Sequence, residues 1–314
     1  MNEIFSCIVL AAGNGKRMNS DLPKVLHKIS AKPMVSILID TLKEAGIKDI
    51  VAVTGYKEEL VRLELGERVS YVTQKEQLGT GHAVIQAKEY FKAKKGRVLI
   101  LCGDVPLIRN ETLQSLMQMN ERPEIDATVV SMELAEPAGY GRIIKDNTGR
   151  VVKIVEEKDA TEEEKKVTEV NTGLYCFKIE DVFAALDEVT NNNKQKEYYL
   201  TDVIDILNKK KKNVRSLKLN DPFESTGINS RKDIYLAEKY LQKRIAEKII
   251  NSGVTIVSPD LVYIEEDVEV GKETIIEPFV RIGRGARIGT GCIIGSFVYI
   301  KESEIVGNNE TRKN

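Results

Sequence analysis

Leu10-Ala-Ala-Gly-Asn-Gly-Lys-Arg-Met18, followed after a short gap by Leu22-Pro-Lys24, is the stretch on which the reading of the fold turns. It reads as a phosphate cradle. The run from Ile4 to Leu10 before it is almost continuously apolar, as a strand buried on both faces should be. Gly13 and Gly15 let the chain turn sharply with its amide N–H groups facing an anion, and Arg17 and Lys24 add mobile positive charge. Two glycines alone would mark only an ordinary strand-to-helix loop. A dinucleotide fingerprint G-x-G-x-x-G needs a third glycine where Met18 stands, and the pattern G-x-x-x-x-G-K-[ST] does not fit either.

Three zones follow along the chain. In residues 1–229, apolar runs such as Ile50 to Val53, Val98 to Cys102 and Thr128 to Met132 alternate with helical stretches, which predicts an α/β fold with a mainly parallel sheet flanked by helices. One helix should start at Pro33 and stop near Gly46, with Val35, Leu38, Ile39 and Leu42 as its core face. Residues 230–252 read as a linker helix that opens on Ser230-Arg-Lys-Asp233, a capping-box spacing, and aligns Ile234, Ala237, Leu241, Ile245 and Ile249. The charged runs Glu162 to Lys166 and Lys209 to Lys212 read as solvated surface or loop.

Residues 253–314 follow neither a helical period nor that of a simple strand. Aliphatic residues recur every sixth position at Ile264, Val270, Ile276, Ile282, Ile288, Ile294, Ile300 and Val306, and glycine follows several of them. A six-residue repeat is the mark of a parallel β-helix, each short face sending one side chain inward before the next corner. The polar tail from Asn308 does not continue the pattern.

Composition agrees with a soluble enzyme: 314 residues, 42% hydrophobic, suffice for one large core and a smaller appendage. The 47 Lys and Arg nearly cancel the 48 Asp and Glu, so no broad basic field is available to hold nucleic acid. No apolar segment approaches the roughly 20 residues of a membrane span, and no signal-peptide pattern precedes the first strand, so no membrane insertion and a cytoplasmic location are expected. Cys7, Cys102, Cys176 and Cys292 are scattered within apolar runs, as buried reduced thiols would be. His27 and His82 are too few and too separate for a histidine metal cluster.

The opening stretch resembles L-A-A-G-x-G-T-R-M…P-K of the sugar-phosphate nucleotidyltransferases. The likeness narrows with Gln77-Leu-Gly-Thr-Gly-His-Ala83, Gly103-Asp-Val-Pro106, Gly139-Tyr-Gly-Arg-Ile143, Glu156-Glu-Lys-Asp159, Val170-Asn-Thr-Gly173 and Gly227-Ile-Asn229. In that order they are similar to the bacterial N-acetylglucosamine-1-phosphate uridyltransferases of the GlmU family. The resemblance implies a Rossmann-like nucleotidyltransferase domain followed by a left-handed β-helix, three hexads to the coil, which leaves fewer than three coils here. It also implies a homotrimer packed through that β-helix. The family's acetyltransferase residues lie further along a longer β-helix, so acetyl transfer is expected to be absent.

The implied reaction is attack by N-acetylglucosamine-1-phosphate on the α-phosphorus of UTP, giving UDP-N-acetylglucosamine for peptidoglycan synthesis and releasing pyrophosphate. The nucleophile is already an anion, so positioning and charge neutralisation must do the catalysis. By resemblance, Arg17 and Lys24 are catalytic cations on the triphosphate. Asp104, just past an apolar strand, pairs with Asn229 as the Mg2+ site. Leu10, Ala11, Ala12, Gly13, Gln74, Gly79 and Thr80 would take the nucleotide, and Cys102, Gly103, Gly141, Glu156, Asn171 and Asn229 the sugar. Lys16 stands where the family has threonine and adds charge beside the phosphates, and Cys102 stands where a tyrosine or other polar residue is usual. Two other readings stay open: a nucleotidyltransferase for another sugar-1-phosphate, and a catalytically silent scaffold, against which intact Arg17, Lys24, Asp104 and Asn229 argue.

Overall fold

The apolar run after Ile4 becomes a strand, Phe5–Ala11, at the centre of a nine-stranded sheet. The structure, a computed structural model, describes residues 4–313, and the Lys16 side chain, expected to add charge, lies outside the described residues. The strands are β1 (Phe5–Ala11), β2 (Asp49–Thr54), β3 (Ser70–Thr73), β4 (Arg97–Cys102), β5 (Ala127–Glu133), β6 (Arg142–Lys145), β7 (Val151–Val155), β8 (Glu169–Lys178) and β9 (Val214–Lys218). Their order is β9-β5-β8-β4-β1-β2-β3, with β6 and β7 appended to β8. β1 runs parallel to β2 and β4, β2 to β3, and β9 to β5, whereas β8 is antiparallel to both its neighbours. This is the mainly parallel Rossmann-like sheet expected.

Alternate residues of β1 and β4 point to opposite faces. Ile8, Val98 and Ile100 join one apolar cluster, and Cys7, Val9, Leu99 and Leu101 join another. The helices are α1 (Met34–Glu44), α2 (Glu58–Leu65), α3 (Thr80–Ile85), α4 (Lys88–Phe91), α5 (Asn110–Asn120), α6 (Glu162–Lys165), α7 (Ile179–Leu186), α8 (Asp202–Lys209) and α9 (Arg231–Asn251). In α1 the residues Val35, Leu38, Ile39 and Leu42 are fully buried, each burial being worth about 1.5–3 kcal/mol. Pro33 precedes the helix as an extended residue and does not begin it, and Gly46 beyond its end has φ 91°. The run from Glu162, expected as loop or surface, forms the short exposed helix α6. Thr161 and Glu164 close a capping box there that an all-charged stretch obscures.

β8 breaks register with β5 between Asn171 and Tyr175, which releases Thr172, Gly173 and Leu174 from the ladder. The Thr172 hydroxyl donates to Val130 O (2.8 Å) and accepts from Leu174 N–H (3.2 Å), replacing part of the missing pairing. All four cysteines are free thiols. Among the described residues no helix is long and apolar enough to cross a membrane.

The chain divides into two compact units, one running to Lys28 and continuing over Lys32–Ser230, the other Ile29–Ala31 with the residues from Arg231 on. In the second unit two-residue strands stack in parallel into a short left-handed β-helix. Ile275 pairs with Ile293, Arg281 with Tyr299 and Arg287 with Ile305, each three hexads on. Ile276, Ile282, Ile288, Ile294, Ile300 and Val306 fill its interior, together with Ile249 of α9. One residue per hexad takes a left-handed backbone at the corner, from Asp267 through Phe279 and Phe297 to Asn309.

The coil count differs from expectation. One face has four strands, because Thr255–Ile256 adds a rung before the aliphatic repeat and Thr311–Arg312 pairs with Ile293–Ile294 after it. The helix therefore exceeds three coils, and the polar tail continues it to Arg312. The ladder is made by backbone groups such as Gly295 N–H to Arg312 O (2.8 Å), which need no aliphatic side chain. Arg312 instead meets Glu310 at 3.2 Å.

Candidate active site

The carboxyl ends of β1 and β4 meet where Gly103 N–H donates to Leu10 O (2.8 Å), placing the turn after each strand against the other. Gly15 has φ 63°, and a Cβ there would lie 2.7 Å from Lys24 Cβ, so only glycine lets the turn press against the lysine. The Lys24 ammonium forms an ion pair with Asp104 Oδ2 and donates to Asn229 Oδ1 at 3.0 Å. Arg17 Nη2 donates to the same Asn229 oxygen at 2.8 Å. Ile228 N–H donates to Asp104 O (2.9 Å), fixing the Asn229 segment beside the aspartate. Four residues from three distant stretches of the chain thus meet, two cations on two oxygen atoms.

Beside them opens a cleft of about 290 Å3 lined by Leu10, Ala12, Gly13, Lys24, Gln74, Gly79, Thr80, Cys102 and Asp104, all anticipated, and by Gln77 and Glu197, which were not among the assigned site residues. Ala11 is a buried strand residue and does not line this cleft. Gly79 has φ 113°, and a Cβ there would be 2.6 Å from Tyr198 O, so the wall requires glycine. Burial pushes the Cys102 thiol up to about 12, with Asp104 adding to it, so the sulfur stays neutral and offers no nucleophile.

Gly141, Glu156 and Asn171 also come together. Asn171 N–H donates to Gly141 O (2.8 Å), and a Cβ on Gly141 would lie 3.6 Å from both Asn171 Cβ and Glu156 Oε1. They do not line the 290 Å3 cleft. Glu156 faces a second pocket of about 230 Å3 with Asp159, Tyr199 and Asp202. Burial raises the Glu156 carboxyl above its usual range, opposed by the Thr201 hydroxyl, which donates to Oε1 at 3.0 Å. Asp202 is pushed up to about 6 by burial and then by Glu156, Asp205 and Asp159. Asn171 is held at both ends, Oδ1 accepting from Gly173 N–H (3.2 Å) and Nδ2 donating to Tyr175 OH (2.7 Å). Behind this wall the buried Arg142 guanidinium donates to Tyr140 O and pairs with Glu157 at 2.8 Å.

Thr201 and Tyr175, which orient two anticipated side chains, were missed because their partners are set by tertiary packing and leave no local pattern. Among the described residues no group of three or more His, Cys, Asp or Glu is arranged to hold a metal ion. A site made here would rest on the carboxylate and carboxamide already gathered around Lys24.

Residues 6–229 match the family model of nucleotidyl transferases, and residues 267–302 match that of bacterial transferase hexapeptide repeats. The chain is 45% identical over 98% of its length to "Bifunctional protein GlmU" of Halalkalibacterium halodurans, covering 67% of that protein. It is 46% identical over 97% to the protein of that name from Caldanaerobacter subterraneus, covering 66%. To that from Clostridioides difficile it is 44% identical over 98%, covering 67%. The chain spans about two thirds of the length of these curated relatives. In fold it is similar to a crystal structure of UDP-glucose pyrophosphorylase complexed with UDP-glucose, with a TM-score of 0.63 at 20% identity over 77% of this chain and 99% of that one. A putative glucose-1-phosphate thymidylyltransferase from Bacillus anthracis gives a TM-score of 0.61 at 19% identity over 75% of this chain and 94% of that one.

Proposed function

The chain belongs to the GlmU family of nucleotidyl transferases, and on that premise we propose that it transfers the uridylyl group of UTP to N-acetylglucosamine-1-phosphate, releasing pyrophosphate. The observation that carries this reading is the meeting of Arg17, Lys24, Asp104 and Asn229 at the mouth of the cleft lined by Gln74, Gly79 and Thr80. A phosphate ester oxygen attacks the α-phosphorus, the bond to the β-phosphate oxygen breaks, and pyrophosphate leaves in line. No proton must be removed, which accords with a cleft whose one thiol, Cys102, stays neutral.

The donor set fits a hard divalent cation, since Asp104 Oδ2 and Asn229 Oδ1 already converge on one positive charge, the Lys24 ammonium. Asp104 and Asn229 would hold Mg2+, which neutralises triphosphate charge when bound. Lys24 and Arg17 then turn from these oxygens to phosphate oxygens, where the developing charge is greatest. Gln74 and the backbone at Gly79 face the base. Gly141, Glu156 and Asn171 take the sugar, with Glu156 and the amide of Asn171 as partners for hydroxyls and the N-acetyl group.

The test is pyrophosphate release from UTP and N-acetylglucosamine-1-phosphate, with and without Mg2+, alongside dTTP and glucose-1-phosphate as competitors. Metal-dependent release that prefers the first pair is expected. No release under any of these conditions overturns the reading.

A further inference from the structure

Gln74, at the end of β3, is only 3% exposed yet lines the cleft. Its Nε2 lies 3.2 Å from Gly79 O and 3.1 Å from His82 Nδ1 on α3. A backbone carbonyl only accepts, so the amide end beside Gly79 must be the NH2. Its second proton then points at His82 Nδ1, which has to offer a lone pair. A ring that accepts at Nδ1 carries its proton on Nε2.

Gln86 competes for the same ring. Its Nε2 donates to His82 O at 3.0 Å and lies 3.3 Å from His82 Nε2, a spacing that suits the opposite tautomer. Both amides cannot be served by one lone pair. Gln86 is half-exposed and can turn to water, whereas Gln74 is buried, and stranding its NH2 would leave a desolvated donor unmet. The contest goes to Gln74.

The remaining amide atom, Gln74 Oε1, has no donor within reach among the described residues and is left as an acceptor in the cleft. Uracil presents a ring N3–H to such an atom. Cytosine presents a bare lone pair at the same place and would be repelled. We infer that His82 is a specificity-determining positioning residue: it locks the Gln74 amide so that its carbonyl faces the base, and thereby selects uracil-type bases against cytosine. Its ring, tilted against Tyr198 at 6.2 Å between centroids, lies between Gln74 and an outer cavity of about 280 Å3 lined by Ile85, Leu186 and Val189, and does not line the cleft itself. This rests on the proposed uridylyl transfer, because it assigns the base specificity of that same site.

The experiment compares kcat/KM for UTP and CTP in the wild type, His82→Leu and His82→Asn. Leucine suits the apolar neighbours but accepts nothing; asparagine keeps an acceptor close to Nδ1. In His82→Leu the UTP-over-CTP preference should fall by about 10-fold or more, through KM and with kcat for UTP little changed, while His82→Asn stays within about 3-fold of wild type. An unchanged preference in folded His82→Leu overturns the inference. Should the leucine variant not fold, His82→Phe, which also accepts nothing, carries the same test. 15N NMR of the unliganded wild type, which has only two histidines, is independent of every variant. It should show one imidazole with a hydrogen-bonded, unprotonated Nδ1 and a protonated Nε2, and the reverse tautomer in both rings refutes the proposal. A wild type inactive with UTP would instead refute the underlying function, so the two failures are told apart.

Discussion

Replacing Lys24 by methionine should make the unliganded chain bind a divalent ion more tightly while making it a far slower catalyst. In the free chain the ammonium occupies the oxygens of Asp104 and Asn229, with side chains of Lys24 and Asp104 only 18% and 12% exposed. For such partly buried charges an effective dielectric near 20 gives about 4 kcal/mol of attraction at about 4 Å. Rehydration of the released ammonium returns much of this, leaving about 1–2 kcal/mol to clear the site. Lys24→Met removes that cost, so Mn2+ binding without nucleotide should tighten by about 5- to 30-fold. Turnover should drop by about two to three orders of magnitude, because a cation is withdrawn from developing phosphate charge. An EPR titration of free Mn2+ measures the first effect with no catalysis involved, and adding Asp104→Asn should erase the gain. Equal Mn2+ affinity in wild type and Lys24→Met would refute the competition.

Asp202→Asn should stabilise the chain near neutral pH and lose its advantage in acid. The folded-state carboxyl titrates at about 6, against 3.8 ordinarily, so burial penalises its charge fully above about pH 6 and not at all below the ordinary value. After discounting for its partial exposure the gain is about 1 kcal/mol, read from urea midpoints at about pH 7.5 and pH 4, and a gain equal at both contradicts the assignment. Gly79→Ala forces a Cβ to 2.6 Å from Tyr198 O at φ 113°, and should cost about 1–3 kcal/mol and weaken UTP binding about 10-fold by calorimetry. Ile282→Ala empties a fully buried site in the β-helix and should lower the unfolding free energy of that unit by about 2–4 kcal/mol in denaturant titrations, an unaltered midpoint ruling out a packed interior there.

What could be read without coordinates was whatever carries a period or a turn chemistry. The apolar run into Gly13 and Gly15 announced β1 and its cradle, and the six-residue recurrence announced the β-helix because each hexad must bury one aliphatic side chain. Where the backbone alone does the work the pattern falls silent. Thr311–Arg312 pairs as well as Ile293–Ile294 does, and Thr255–Ile256 joins the same face after a longer spacing. Arg17 and Lys24 stood out as charge beside the glycine turn and Asp104 as a carboxylate just past an apolar strand, whereas Asn229 was reached only through the family resemblance. Supporting side chains did not stand out, since the Thr201 hydroxyl on Glu156 and the Tyr175 phenol on Asn171 are brought together only by the folded sheet. The acidic surroundings of Glu156, likewise, include Glu197 and Asp202, which lie far from it in sequence.

The break in β8 makes part of the proposed sugar-facing wall separable from the architecture that carries it. Thr172 splices the gap with its hydroxyl, and from Tyr175 to Phe177 the strand is again in step with both β4 and β5. Residues inserted or exchanged between Asn171 and Tyr175 need not slide the downstream ladder by a single position. That short span is accordingly an editable graft point, where selectivity toward a differently substituted pyranose could be rewritten while the scaffold beneath is inherited intact.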